Sequence, residues 1–165
     1  MLIPEICTRL QETRVAAAIR ESRWLFPTIE TLHVLAIGIV VGSITMLDLR
    51  LLGLASRDRG VYEVHEEVLP WTWTSFVCAA ITGPLMFSSD AVKYYGNIQF
   101  RAKMLLLALL GMNAAIFEFG VFRGVANWDR GRIPAAAKLA GGVSLVFWIC
   151  VVTLGRWIGF TTSLR

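Results

Sequence analysis

Glu30 and His33 are the first residues along the chain whose types and spacing suggest chemistry. Three positions apart on a helix, they share nearly one face, a turn from each other, within an otherwise apolar stretch. An ionisable group at mid-bilayer costs roughly 2.5–3.5 kcal/mol on insertion scales, so each one inside an apolar block is a functional candidate. An imidazole in such a place is a candidate metal ligand. Lys103 and Arg156, which the order of spans set out below brings to the same membrane depth, are two cations near it. One histidine beside two cations among apolar helices suits a b-type haem, with His33 as axial ligand and Lys103 and Arg156 against the propionates. Gly38 and Gly42, one and two turns further on, would let a flat macrocycle approach the backbone.

Each of these residues also has a plainer role. Gly38-x-x-x-Gly42, like Gly155-x-x-x-Gly159, is a spacing that lets helices pack closely. Lys103 and Arg156 near helix ends can extend to the headgroups, and His33 can simply hydrogen-bond Glu30 or another helix. A sixth iron ligand is not evident. His65 falls in a polar stretch on the opposite side of the membrane, where it reads as a solvated loop residue, and Met86, Met104 and Met112 read as packing. A five-coordinate haem or a ligand from another subunit remains. Further polar residues sit at the other boundary: Asp48 lies five helical turns from Glu30, Arg50 follows it, and Glu118 comes to their depth. Asn113 and Ser144 suit interhelical hydrogen bonds.

The elements that must position these groups are four membrane spans and one surface helix. Between about 4 and 22, Glu5, Arg9, Glu12 and Arg20 interleave with Ile3, Ile6, Leu10, Ala17 and Ile19, the pattern of an amphipathic helix lying on a bilayer. Trp24 and Phe26 then mark an interface, and Pro27 suits a helix start. Spans follow at about 27–52, 69–89, 100–122 and 135–160, each near the length that crosses ~30 Å of hydrocarbon. Pro84 should bend the second. An even number of spans puts both termini on one side. Of the sixteen Lys and Arg, nine fall on that side, Arg165 among them, and seven on the other, a slight lean towards cytoplasmic termini.

Composition agrees with a bilayer environment: 56% of residues are hydrophobic and 17% charged, outside the usual range of a soluble domain. The fold class expected is all-α, one integral membrane four-helix bundle over 1–165. The charges cluster at the ends of apolar blocks rather than in one basic patch, which argues against nucleic acid. Cys7, Cys78 and Cys150 are far apart and form neither a disulfide framework nor a zinc spacing. Charges through the first twenty residues exclude a signal peptide. No phosphate loop, nucleophile elbow or zinc-hydrolase motif is present.

The stretches Ala18 to Pro27, Ile29-Glu30-Thr31-Leu32-His33 and Asp48-Leu49-Arg50-Leu51-Leu52-Gly53 resemble a family of bacterial four-helix membrane proteins known as a domain of unknown function. So do Leu69-Pro70-Trp71, Thr82-Gly83, Asn97 to Phe100 with Lys103, Asn113, and Gly155-Arg156-Trp157. The likeness covers nearly the whole chain and implies the fold and a bacterial cytoplasmic (inner) membrane. More loosely, a first-span histidine, a glycine-bearing turn and an Arg-Leu pair are similar to the copper-resistance D membrane family and to the bacterial membrane protoporphyrinogen oxidase, which implies haem.

The leading expectation is therefore a small cytochrome b-like subunit that exchanges electrons with a partner through haem on His33. A non-enzymatic anchor or assembly subunit is the alternative, working as a homo-oligomer or beside a partner membrane subunit. The third is a copper or proton pathway with Glu30, His33, Asp48 and Glu118 as stations.

Overall fold

A computed structural model describes residues 2–163; Arg165, counted above among the terminal-side cations, lies outside them. Two short helices, α1 (Leu2–Gln11) and α2 (Arg14–Glu21), precede α3 (Leu25–Leu52) and α4 (Val61–Ser89). After the short α5 (Ala91–Gly96) come α6 (Ile98–Ile116), which continues through a π turn (Phe117–Val121) and a 3-10 segment (Phe122–Asn127), and α7 (Ala135–Ser163). The fold is all-α. Three of its helical stretches, Leu25–Leu52, Ile98–Asn127 and Ala135–Thr161, are long and apolar enough to cross a membrane.

The N-terminal amphipathic segment is two helices rather than the single one expected over 4–22. Thr13 is extended (φ −65°, ψ 149°). Its hydroxyl donates to the Leu10 carbonyl at 2.8 Å and accepts from the Ala16 N–H at 3.3 Å. An N-capping threonine that satisfies both neighbours ends one helix and starts the next. The buried face of α2, Ala16 and Ile19, packs towards the C-terminal end of α4. There Arg20 donates to the carbonyls of Gln11 (3.4 Å) and Ser89 (3.3 Å), supplying a donor for one of the carbonyls a helix end leaves unpaired. Ile3, Ile6 and Val15 remain exposed.

The second long helix starts at Val61, eight positions before the expected Leu69, so most of the supposed polar loop is helical. The reason is a buried stripe of Val61, Val64 and Val68, hidden in the sequence among Glu63, Glu66 and Glu67. Its first turn is capped from elsewhere in the chain: the Asp129 carboxylate accepts the Tyr62 N–H at 2.7 Å. Gly60 leaves room for that carboxylate, which a Cβ there would push aside. The helix runs on through Pro70 and Pro84 without interruption. The preceding turn is tight: α3 ends on Gly53 at φ 72°, with Gly53 and Leu54 N–H groups returning to the carbonyls of Arg50 and Leu49, the αL ending that glycine alone adopts freely.

The long helices follow the order α4, α3, α7, α6, with α3 packed between α4 and α7. The beginnings of α3 and α6, the ends of α4 and α7, and α1, α2 and α5 therefore share one end, called here the terminal side; the other is the loop side. One apolar cluster lies at the loop side (Leu47, Leu51, Val61, Val64, Val68, Phe117). A second lies between α3, α6 and α7 (Val40, Leu110, Trp148, Val151). α3 and α7 approach closely at Gly141, where a Cβ would stand 3.2 Å from the Asp48 carbonyl oxygen. Gly38 and Gly42, by contrast, have nothing within 4 Å of an added Cβ.

Candidate functional site

At the terminal side, His33 on α3 is held against α4. Its Nδ1 is 2.8 Å from Thr82 Oγ1, and the Thr82 hydroxyl donates to the Cys78 carbonyl at 2.8 Å. With the hydroxyl proton so committed, Oγ1 is left to accept, which places the imidazole proton on Nδ1. The ring lies on Gly83, where a Cβ would be 3.2 Å from His33 Cε1. Lys103, half-buried, lies within electrostatic reach of the ring. Its Nζ would be 3.4 Å from a Cβ at Gly155, so the ammonium lies against α7 at that glycine. No carboxylate pairs with Lys103 among the described residues.

The rest of the expected cluster is not gathered here. Arg156 is exposed, its guanidinium 5.0 Å from the centre of the Phe160 ring. Glu30 is exposed too and has Tyr94 of α5 in its field. Gly38 and Gly42 lie five and nine residues after His33, which at 100° per residue is roughly 140° and 180° around α3. They face away from the imidazole. Gly42 instead lines a shallow outer groove of about 360 Å³ with Ile39, Met46 and Trp71.

The loop side carries a second polar group that the sequence reading did not find. His65 is a buried residue of α4, 2% exposed, where a solvated loop histidine was expected. Nε2–H donates to Glu118 Oε2 at 3.1 Å, and the ring stacks on Phe122 with centroids 3.9 Å apart. Its Nδ1, 3.6 Å from the Glu66 carboxylate, has no hydrogen-bond partner. Glu118 occupies the π turn, a bulge that often marks a functional position in a helix. The signal that would have found His65 is the spacing of Val61, Val64 and Val68 around it, which is helical.

Asp48 and Arg50 are both buried and do not pair with each other. Asp48, with Ser144 beside it, leaves Oδ2 without a partner. The Arg50 Nε–H donates to the Arg59 carbonyl at 2.7 Å, and a second nitrogen reaches the Asp129 carbonyl at 3.4 Å, tying the end of α3 to both loops. Asn113 donates to the Ala140 carbonyl at 3.0 Å across α6 and α7.

The two histidines sit at opposite ends of α4. Thr82, the partner of His33, is seventeen residues beyond His65, about 25 Å along the helix. One haem therefore cannot bridge them within a chain. Among the described residues no three His, Cys, Asp or Glu side chains converge on a metal position. For a haem the donors fit in part: His33 offers an imidazole oriented by Thr82, with the Ala79 backbone also within hydrogen-bonding reach of the ring, and Lys103 a cation with no carboxylate partner among the described residues. Arg156, Gly38 and Gly42 do not take part. No curated protein and no solved structure matches the chain. The sequence model of DUF6644, a family of unknown function, matches residues 25–161, and the chain belongs to that family.

Proposed function

We propose that this protein is a small membrane subunit that holds a b-type haem on His33 and passes electrons to or from a partner. The observation that carries the reading is the hydrogen bond from His33 Nδ1 to Thr82 Oγ1. Metal-ligating histidines commonly donate their other ring N–H in this way, which fixes the tautomer and aims the free nitrogen. Bound haem would supply a one-electron iron couple. The chain's own contributions are the oriented imidazole, the Lys103 ammonium for a propionate, and the glycine at 83 that lets the ring approach α4. The fourth long helix, α4, is 29 residues, enough to cross a bilayer beside the other three; the reading takes it as a span, with both termini cytoplasmic in a bacterial inner membrane. The loose likeness to the copper-resistance D family adds weight. A reduced-minus-oxidised visible spectrum of purified wild type beside His33→Ala tests it: a haem b signal present in the first and lost in the second is expected, and no Soret band in the wild type overturns it.

A second reading has its own observation, the open face of α3 at Gly38 and Gly42. It makes the chain a non-enzymatic anchor that packs against a partner span. In that case Gly38→Leu with Gly42→Leu disrupts assembly with the partner, and His33→Ala leaves it intact.

A further inference from the structure

Beyond Glu118 the chain carries six cations and a single acidic residue, Asp129. Four of the cations, Arg123, Arg130, Arg132 and Lys138, fall within the sixteen positions that lead from the end of α6 into α7. All four are exposed, and none has a carboxylate within 4 Å among the described residues. Asp129 is turned inward, its carboxylate accepting the Tyr62 N–H at 2.7 Å, and Glu118 is held by His65. The cations of the neighbouring α3–α4 turn are used within the chain instead. Arg59 pairs with Glu63 and Glu67, Arg57 donates to the Gly53 carbonyl, and Arg50 donates to those of Arg59 and Asp129. On the terminal side cations alternate with acids, as in Glu12 and Arg14, Glu21 and Arg23, and Asp90 and Lys93. The α6–α7 connector differs from both in carrying one sign of charge with nothing in the chain to pair it.

This basic stretch also has a fixed level. It joins Ile98–Asn127 to Ala135–Thr161, both long and apolar enough to cross a membrane, so it lies where hydrocarbon gives way to headgroups. Phe119 just before it and Leu139 just after Lys138 are exposed. The Arg123 guanidinium lies over the Phe119 ring, 5.9 Å from its centroid, which sets a charge beside an apolar surface, the combination an amphiphile matches. A guanidinium meets two phosphate oxygens at once, and each basic side chain beside a span strengthens attraction to anionic lipid by roughly fivefold. A soluble phosphate would meet the same cations but would leave Phe119 and Leu139 uncovered, whereas a lipid satisfies both. We infer that the α6–α7 connector binds the headgroups of anionic phospholipids, with Arg123, Arg130, Arg132 and Lys138 against the phosphates and Phe119 and Leu139 against the acyl chains. Such binding needs neither the haem nor a particular side of the membrane.

The experiment uses the full chain in phosphatidylcholine bilayers at constant salt, doped with spin-labelled phosphatidylglycerol or spin-labelled phosphatidylcholine, and reads the fraction of each label immobilised on the protein. Wild type should favour the anionic label by roughly fivefold or more. Arg130→Gln with Arg132→Gln should remove most of that preference. Arg14→Gln with Arg23→Gln, which takes the same charge from the terminal side, should leave most of it in place. Arg123→Gln with Lys138→Gln replaces the connector pair if that variant is not monodisperse. Equal preference in the connector and terminal-side variants overturns the inference, because net charge alone then accounts for the selectivity. Lack of any preference in wild type overturns it as well. So does full release of the anionic label by inorganic phosphate at the label's own concentration, which would make the connector a site for free phosphate rather than lipid.

Discussion

His33 Nδ1 and Thr82 Oγ1 stand 2.8 Å apart across the α3–α4 interface, and the threonine's own proton is already given to Cys78. The pair therefore makes the ring's orientation a property of α4 as much as of α3. Thr82→Val keeps the shape and removes the acceptor. Haem affinity should fall by roughly 10- to 100-fold, as for other outer partners of a ligating histidine, and Thr82→Ser should restore it. Titration of the purified variants with haem, followed at the Soret band, checks this.

His65 and Glu118 form the corresponding link between α4 and the π turn. Removing the carboxylate leaves a buried imidazole with neither nitrogen hydrogen-bonded, a cost of about 1–3 kcal/mol. Glu118→Ala should lower the melting temperature in detergent, while Glu118→Gln, which retains an acceptor oxygen, should recover most of the loss. Equal melting of Glu118→Ala and wild type would show that the link contributes nothing.

Gly141 and Gly38 should respond to alanine with opposite signs. At Gly141 the new Cβ lies 3.2–3.4 Å from Asp48 and Leu51 atoms, two of them backbone, so α3 and α7 must separate, at about 1–3 kcal/mol for overpacking. At Gly38 the space is open, and alanine should stabilise by up to about 1 kcal/mol through helix propensity. Thermal unfolding of the two variants side by side decides it.

Tyr94 governs behaviour in alkali. Burial, then the charges of Asp90 and Glu30, push its phenol above the usual value. The folded state thus keeps a proton that the unfolded chain releases near pH 10. Its contribution is complete below that pH and is lost as pH rises towards the higher folded value. Wild type should lose stability above about pH 10 more steeply than Tyr94→Phe, with a late phenolate absorbance step missing from the variant.

Much of the architecture was legible because a bilayer is a demanding solvent. The apolar runs around Val40, Leu110 and Val151 have to be helices, since no other local structure pairs its own backbone in hydrocarbon. Boundaries were legible where they rest on local chemistry, as at the end of α3. They were misread where the deciding partner is distant: Val61 begins α4 because Asp129, sixty-eight residues on, caps the N–H of Tyr62 next to it. The same distance hid His65, whose acidic neighbours in sequence concealed a buried face.

The sequence by itself determined that the chain is helical, that it carries long apolar stretches able to cross a membrane, and that His33 and Lys103 lie near one depth, because hydropathy and a 3.6-residue period act locally. Only the tertiary structure decided which way those residues face. Gly38 and Gly42 turned outward, Arg156 went to Phe160, and Thr82 and Glu118 became the partners of the two histidines. Depth follows from counting residues along one helix, whereas facing depends on how each helix is rotated against its neighbours, and that rotation is set by packing between residues far apart in the chain.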